Sequence, residues 1–179
     1  YKRVYRRFDL FQGHDGDYRE FLRRNAPQVA EAGPIITREG EILGEHQGLA
    51  FYTIGQRQGL GIGGVKGGAG APWYVVDKDN DANVLYVVQG EDHPLLYSRG
   101  LTATAPHWIA DIPRAPFRCQ AKTRYRQPDQ DCTIVSISPD GLTVTFDQPQ
   151  RAVTPGQYVV FYDGDECLGS AVIGETGTA

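Results

Sequence analysis

One segment of the sequence combines residue types and spacing that suit binding of a polyanion. In 117–126 (FRCQAKTRYR), the even positions hold Arg118, Gln120, Lys122, Arg124 and Arg126, and the odd positions hold Phe117, Cys119, Ala121, Thr123 and Tyr125. Because side chains alternate along a strand, this pattern predicts one apolar face and one face with four positive charges. A cationic stripe suits the phosphate backbone of RNA or DNA, since each neutralised phosphate releases counterions. The alternative interpretation is the solvated outer face of a strand.

Two glycine and aspartate motifs match known binding loops only in part. The range 59–64 (GLGIGG) fits G-x-G-x-x-G, but 65–72 (VKGGAGAP) follows it and cannot form the helix that a dinucleotide site requires. We interpret it as a flexible or ligand-clasping loop. The aspartates of 77–81 (DKDND) resemble the start of a calcium loop, but positions six and twelve lack the required Gly and Glu. A solvated hairpin turn is the favoured interpretation.

The histidines and cysteines show no spacing typical of a metal site or a nucleophile. The four histidines are scattered, at His14, His46, His93 and His107, and the cysteines are Cys119, Cys132 and Cys167. No metal site is predicted. The cysteines lie within apolar strand patterns, which predicts inert core thiols. Their odd number and the lack of C-x-x-C spacing favour a reducing cytoplasm.

Composition limits the classes of protein that the chain could belong to. The 179 residues carry 18 Lys and Arg against 22 Asp and Glu, a net charge of −4, so a nucleic-acid site would have to be a local patch. No apolar run approaches the roughly 18 residues of a membrane-spanning helix, and no signal peptide is seen. The sequence contains no Met. We therefore expect a processed or truncated piece, the C-terminal part of a longer protein.

The elements that must position these residues are mostly β. One short helix is predicted over 15–25, followed by hairpins at 35–43 and 73–88 with a Gly-rich loop at 55–70 between them. Beyond residue 98, strand patterns recur about every ten residues, which predicts a closed antiparallel barrel. Three regions follow: 1–28, an N-terminal segment with the short helix, of which 1–14 is divergent or non-native; 29–97, a small central β domain with the Gly-rich loop; and 98–179, the C-terminal β-barrel.

Several long motifs resemble one family in order and spacing. They lie at 44–48 (GEHQG), 51–63 (FYTIGQRQGLGIG), 73–77 (WYVVD), 119–127 (CQAKTRYRQ) and 152–162 (AVTPGQYVVFY). Together they resemble the tRNA-specific 2-thiouridylases (MnmA/TrmU) over about 15–173. The resemblance implies an ATP-dependent sulfurtransferase that makes 2-thiouridine at wobble position 34 of tRNA. It also implies an N-terminal PP-loop ATPase domain, a central domain and a C-terminal barrel similar to that of translation factors.

The resemblance covers the family's tRNA-binding portion and not its catalytic one. The nucleotide loop is not found, and Phe11 and Gln12 stand where the family has its persulfide cysteine. We therefore expect this chain alone to be inactive and to hold no cofactor, with ATP and Mg belonging to the catalytic domain of the parent enzyme. The family's tRNA contacts fall on Arg124, Tyr125 and Gln157.

The charge stripe adds Arg126 and Lys122 to these tRNA-binding candidates, and Gln56 and Arg57, beside the Gly-rich loop, are candidates for a secondary contact. The expected partners are tRNA and, for the parent enzyme, a sulfur-relay or persulfide donor protein. An alternative from another class is a non-catalytic barrel module that docks such a sulfur-relay protein. A hydrolase built on the aspartates of 77–81 is a third hypothesis, disfavoured because they lack a partner base. Salt-sensitive binding distinguishes phosphate contact from apolar docking.

Overall fold

The computed structural model describes residues 30–62, 70–109 and 111–178. The predicted helix at 15–25 and the rest of 1–28 lie outside these residues. The described chain is mostly β, as predicted, and it forms two compact units that divide between Gly90 and Glu91. Within the described ranges, no helix is long and apolar enough to cross a membrane.

The first unit is a four-stranded sheet. Its strands are β1 (Gly33–Ile36), β2 (Ile42–His46), β3 (Trp73–Asp79) and β4 (Val84–Gln89), in the order β2-β1-β4-β3. The pairs β1–β2 and β3–β4 are antiparallel and correspond to the two predicted hairpins, whereas β1 and β4 run parallel. A short 3₁₀ helix, Leu49–Phe51, follows β2. The core of this sheet consists of Ile35, Leu49, Tyr52, Leu60, Ile62, Val75, Leu85 and Val87.

A fully buried histidine joins the two hairpins of this sheet. His46 Nδ1 accepts a hydrogen bond from the Gly48 N–H at 3.1 Å, and its Nε2 lies 3.0 Å from the Asn83 carbonyl oxygen. Because a backbone N–H can only donate, Nδ1 must be unprotonated and Nε2 carries the hydrogen. Both ring nitrogens of His46 therefore satisfy backbone groups, which makes this residue part of the core.

The second unit is a closed, six-stranded antiparallel barrel, as predicted. Its strands are β5 (Tyr97–Trp108), β6 (Phe117–Lys122), β7 (Gln130–Ile137), β8 (Gly141–Arg151), β9 (Tyr158–Asp163) and β10 (Glu166–Thr178), closed in the order β10-β5-β8-β7-β6-β9. Inward-facing positions alternate along the strands and fill the interior. Fully buried core residues include Ile134, Val144, Phe146, Val159, Phe161 and Ile173.

The residues just before β5 belong with the barrel. The 3₁₀ helix Pro94–Leu96 ends at buried Leu96, whose carbonyl accepts a hydrogen bond from the Ala152 N–H at 2.6 Å. Arg151 Nε also donates to the Glu91 carbonyl at 3.5 Å. Bonds to the end of β8 thus hold Glu91 and Leu96 against the barrel, in keeping with the division of the compact units at Gly90 and Glu91; the domain boundary between 97 and 98 stays a sequence-based prediction.

Two of the three cysteines face each other inside the barrel. Cys119 of β6 pairs in register with Cys132 of β7, both are buried, and their sulfur atoms lie 3.6 Å apart. The hydrogen bond that the Cys132 thiol makes to Cys119, together with burial, raises the pKa of Cys132, so its thiol remains protonated at neutral pH. Cys167 is half-buried on β10. The placement of Cys119 and Cys132 agrees with the interpretation of core thiols.

Candidate nucleic-acid interface

The cationic segment is a short strand followed by a turn, so the prediction of one strand over 117–126 was wrong. Strand β6 ends at Lys122. Gln127 Oε1 accepts hydrogen bonds from the Thr123 N–H at 3.1 Å and the Thr123 hydroxyl at 3.0 Å, and the Gln127 N–H donates to the Arg124 carbonyl at 3.1 Å. These bonds close a turn at 123–127 and end the alternation. Tyr125, predicted on the apolar face, is 89% exposed.

A chain of glutamine amides fixes this turn to the barrel. Gln127 Nε2 donates to Gln150 Oε1 at 2.6 Å, and Gln150 Nε2 donates to Gln130 Oε1 at 3.0 Å and to the Gln148 carbonyl at 2.8 Å. Gln150 is buried. Sequence reasoning missed this network, because uncharged glutamines at these separations produce no periodic signal. Its consequence is a rigid mount for the side chains at 124–126.

The backbone after β8 holds Arg124 in place. Arg124 Nη2 donates to the Ala152 carbonyl at 2.9 Å, and Ala152 adopts a left-handed conformation with φ of 52°. Burial lowers the pKa of Arg124 from its ordinary value, and the nearby positive charge of Arg151 lowers it further. Arg124 remains charged at neutral pH because an arginine pKa starts so high.

Arg124, Tyr125 and Gln157 line one concave surface of about 390 Å³, which we call the tyrosine groove. Its full lining is Lys122, Thr123, Arg124, Tyr125, Gln157, Tyr158, Val160 and Tyr162. None of these residues is acidic. The three positions implied by the family resemblance therefore converge, and Lys122 from the charge stripe joins them. The Lys122 ammonium lies 5.4 Å from the centre of the Tyr162 ring, within the range of a cation–π contact.

Gln157 leaves a tight turn with its backbone fixed, as the sequence predicted. The Gln157 N–H donates to the Thr154 carbonyl at 3.2 Å, and Gly156 between them has φ of 83°, which favours glycine. The Gln157 carbonyl accepts a hydrogen bond from the Ile173 N–H at 2.7 Å. The side chain is exposed. Gln157 thus lies at the surface, in the same groove as Arg124.

Two cations of the predicted stripe form ion pairs. Arg118 makes a two-bond contact with Asp147, with 3.0 Å between Nη1 and Oδ1, and this contact raises the pKa of Arg118 and lowers that of Asp147. Lys122 Nζ lies 3.3 Å from Asp129 Oδ1. The positive charge at this end of the barrel is therefore concentrated at the turn, on Arg124 and Arg126.

The candidates for a secondary contact lie in the first unit. Gln56 Oε1 accepts a hydrogen bond from the Thr53 N–H at 3.0 Å, and its Nε2 donates to the Gln58 carbonyl at 2.8 Å. Both ends of this amide are thus used within its own loop. Arg57 is exposed. The role of Gln56 and Arg57 in tRNA contact stays a prediction.

The two partial binding-loop motifs make contacts within the protein, over the residues that the structure describes. Leu60 and Ile62 of the Gly-rich stretch are buried in the sheet core, so this part of the loop is packed against protein. Asp79 Oδ1 accepts hydrogen bonds from two backbone N–H groups of its own turn, and Asp77 pairs with Arg38 at 2.8 Å. Across 30–62, 70–109 and 111–178, no group of three or more His, Cys, Asp or Glu is arranged to hold a metal ion.

Comparisons with known proteins define the class of each unit. Residues 19–89 match the family model of the tRNA methyl transferase PRC-barrel domain, and residues 98–173 match that of the aminomethyltransferase beta-barrel domain. These two models together cover most of the chain.

Curated relatives identify the family. The chain is 56% identical over 160 residues to the tRNA-specific 2-thiouridylase MnmA of Alcanivorax borkumensis, which is 89% of this chain and 43% of the relative. The identity is 59% over 157 residues to MnmA of Hahella chejuensis, covering 87% and 42%, and 57% over 165 residues to MnmA of Methylococcus capsulatus, covering 90% and 44%. The chain belongs to the MnmA family of tRNA-specific 2-thiouridylases. It spans less than half the length of these relatives.

Proposed function

We propose that this chain is the tRNA-binding portion of a tRNA-specific 2-thiouridylase and that its barrel binds the tRNA through the tyrosine groove. The observation that carries the proposal is the convergence of Arg124, Tyr125 and Gln157 on one groove without an acidic lining residue. These side chains come from the turn after β6 and from the turn before β9. Only the closed barrel brings the two turns together.

The chemistry of the groove suits unpaired nucleotides. Tyr125 is 89% exposed and Tyr158 is 62% exposed, so both rings present apolar surface to water. Aromatic rings of this kind stack on bases that are splayed out of a helix, as in an RNA loop. Arg124 supplies charge for a phosphate, and the Gln157 amide can donate to a phosphate or accept from a ribose hydroxyl. An anticodon loop offers all of these groups.

In the whole enzyme, we assign the sulfur chemistry to residues other than the described ones. ATP with Mg would be held by those other residues, and a sulfur-relay or persulfide donor protein would supply the sulfur. The part of this chain is to bind the tRNA and orient its anticodon arm. Transfer RNA and the reduced core thiols both favour the cytoplasm as the location. Purified chain given ATP, a persulfide donor and unmodified tRNA should form no 2-thiouridine by mass spectrometry.

The test is RNA binding by groove variants, measured by fluorescence anisotropy with a labelled anticodon stem-loop. Tyr125→Leu should weaken binding by at least about fivefold because one stacking contact is worth about 1–3 kcal/mol, whereas Tyr125→Phe keeps the ring and should bind normally. Gln157→Ala should weaken binding about fivefold, the equivalent of one hydrogen bond of about 1 kcal/mol. Gln148→Ala, an exposed glutamine outside the groove, is the matched control.

Two results would contradict the proposal. One is the absence of RNA binding at low salt, which would favour the protein-docking module instead. The other is equal RNA binding by Tyr125→Leu, Tyr125→Phe and the unaltered chain, which would mean that RNA binds elsewhere on the surface.

A further inference from the structure

A second concave surface, of about 350 Å³, lies beside the tyrosine groove. It is lined by Arg124, Arg126, Gln127 and Arg151, and we call it the arginine cleft. We propose that the arginine cleft binds one backbone phosphate of the RNA whose bases occupy the tyrosine groove. This inference rests on the proposed function. It adds Gln127 and Arg151, which neither the charge stripe nor the family resemblance assigned to tRNA binding.

The first argument is the charge of the lining. Three of its four residues are arginines and none is acidic. Arg151 lies close enough to Arg124 for its positive charge to lower the pKa of Arg124. Like charges held together raise the energy of the empty site, and an anion relieves that repulsion when it binds. The planar, forked guanidinium group matches the oxygens of a phosphate better than a lysine does.

The second argument is that the protein already positions most of the lining. Arg124 donates to the Ala152 carbonyl at 2.9 Å, and Arg151 Nε donates to the Glu91 carbonyl at 3.5 Å. Gln127 is fixed by its bonds to Thr123 and to Gln150. A site whose groups are held before binding loses less conformational entropy when the ligand arrives. Arg126, by contrast, is exposed, so it is able to close over a bound anion.

The third argument is continuity with the groove. Arg124 lines both surfaces, and the turn at 123–127 supplies residues to each of them. A nucleotide stacked on Tyr125 would therefore place a neighbouring phosphate near Arg124 and Arg126. This continuity favours a nucleic acid over an acidic protein surface, because aromatic rings next to a phosphate site match the alternation of base and phosphate along an RNA strand.

The first experiment measures the salt dependence of RNA binding by the 179-residue chain. Arg126→Gln and Arg151→Gln should each weaken binding of the anticodon stem-loop by about tenfold at low salt, as expected for a lost hydrogen bond to a charged group. Each should also reduce the slope of log K against log salt, between about 50 and 200 mM, by about 0.7. Arg114→Gln is the control, because Arg114 is exposed and lies outside both surfaces. It should change the slope little.

The second experiment locates the phosphate. A set of stem-loop RNAs each carries one uncharged methylphosphonate in place of one loop phosphate. With the unaltered chain, a methylphosphonate at one particular loop position should weaken RNA binding about as much as Arg126→Gln does. For Arg126→Gln and Arg151→Gln, the same RNA change should have little further effect, because the protein group and the phosphate belong to one contact.

The outcomes separate this inference from the proposed function. In one outcome, RNA binding depends on Tyr125 while the arginine variants keep the salt slope of the unaltered chain. That result would reject the phosphate site and leave the proposed role of the tyrosine groove intact. If no RNA binds, both proposals fail. Arg151→Lys, which keeps charge without the fork, and thermal melting of each variant control for misfolding. Because Arg126 is exposed, Arg126→Gln tests the site even if Arg151→Gln unfolds.

Discussion

One glutamine, Gln127, holds the turn that carries Arg124 and Tyr125. Its replacement by alanine is the most direct test of how this turn is attached to the barrel. Gln127→Ala deletes the acceptor for both the N–H and the hydroxyl of Thr123 and the donor to Gln150 Oε1. Thr123 is 4% exposed and Gln150 is 3% exposed, so water reaches the abandoned groups poorly.

The expected cost follows from these lost partners. A buried polar group without a partner costs about 1–3 kcal/mol, and two residues are affected. Because Gln127 is only half-buried, water can enter part of the vacated space. We therefore expect the free energy of unfolding of the barrel to fall by about 2–3 kcal/mol. At about 1 kcal/mol per molar urea, the unfolding midpoint would fall by about 2–3 M.

The barrel offers its own fluorescent reporter for this measurement. Trp108 lies in β5 with its ring stacked on Phe161 at 5.9 Å between centres, whereas Trp73 lies in the first unit. In a Trp73→Phe background, urea unfolding followed by tryptophan emission therefore reports the barrel alone. Gln148→Ala is the control, since only the backbone carbonyl of Gln148 takes part in the network. If Gln127→Ala shifts the midpoint no more than Gln148→Ala, the amide chain does not hold the turn.

Three further predictions concern stability and reactivity. The Arg118 contact lowers the pKa of Asp147 below its ordinary 3.8, so this pair stabilises the barrel above about pH 4 and loses its effect as pH falls through the folded-state pKa. Asp147→Asn should flatten the dependence of the urea midpoint on pH below that value. In the native chain, Cys167 should react with a thiol reagent before the two buried cysteines, which should need denaturant; three equally fast thiols would contradict the core placement. His46→Ala should destabilise the first unit by about 2 kcal/mol, measured by Trp73 emission in a Trp108→Phe background, because the Gly48 N–H loses its acceptor; an unchanged midpoint would contradict this role.

Local patterns sufficed to predict the class of fold. Turn signals such as Pro139–Asp140–Gly141 and Gly164 between two aspartates divide the second half into strands of regular length, and the strands observed there close into the predicted barrel. The prediction at 123–127 failed because the period of two continues through a turn. Gln127 closes the turn that ends the strand, and Gln127 is itself held by Gln150, 23 residues away in sequence. A short window of sequence cannot reveal a bond of that range.

The candidate site, too, could be predicted from local sequence only in part. Gln157 could be placed from its own turn, since Pro155 and Gly156 specify the local backbone. The arginine cleft could not, because Arg151 reaches Arg124 only through the register of the barrel, where the carbonyl of Ala152 lies 2.9 Å from a guanidinium 28 residues earlier. Residue types and spacing predict which side chains can bind an anion. The topology decides which of them share a surface.

The distribution of charge bears on how such a surface would act on RNA. Arg118 and Lys122 form ion pairs with Asp147 and Asp129, so the positive charge that faces a ligand comes mainly from Arg124 and Arg126 of the arginine cleft. Proteins that rely on electrostatics for affinity make about six to ten phosphate contacts, many more than a single cleft can supply. The net charge of −4 also opposes non-specific attraction. The described barrel is therefore suited to holding one segment of RNA in a defined position, with rings and amides on rigid turns, and less suited to strong binding of any RNA. Such a surface would suit the function proposed above, in which the barrel holds the anticodon arm while the sulfur chemistry takes place on other residues.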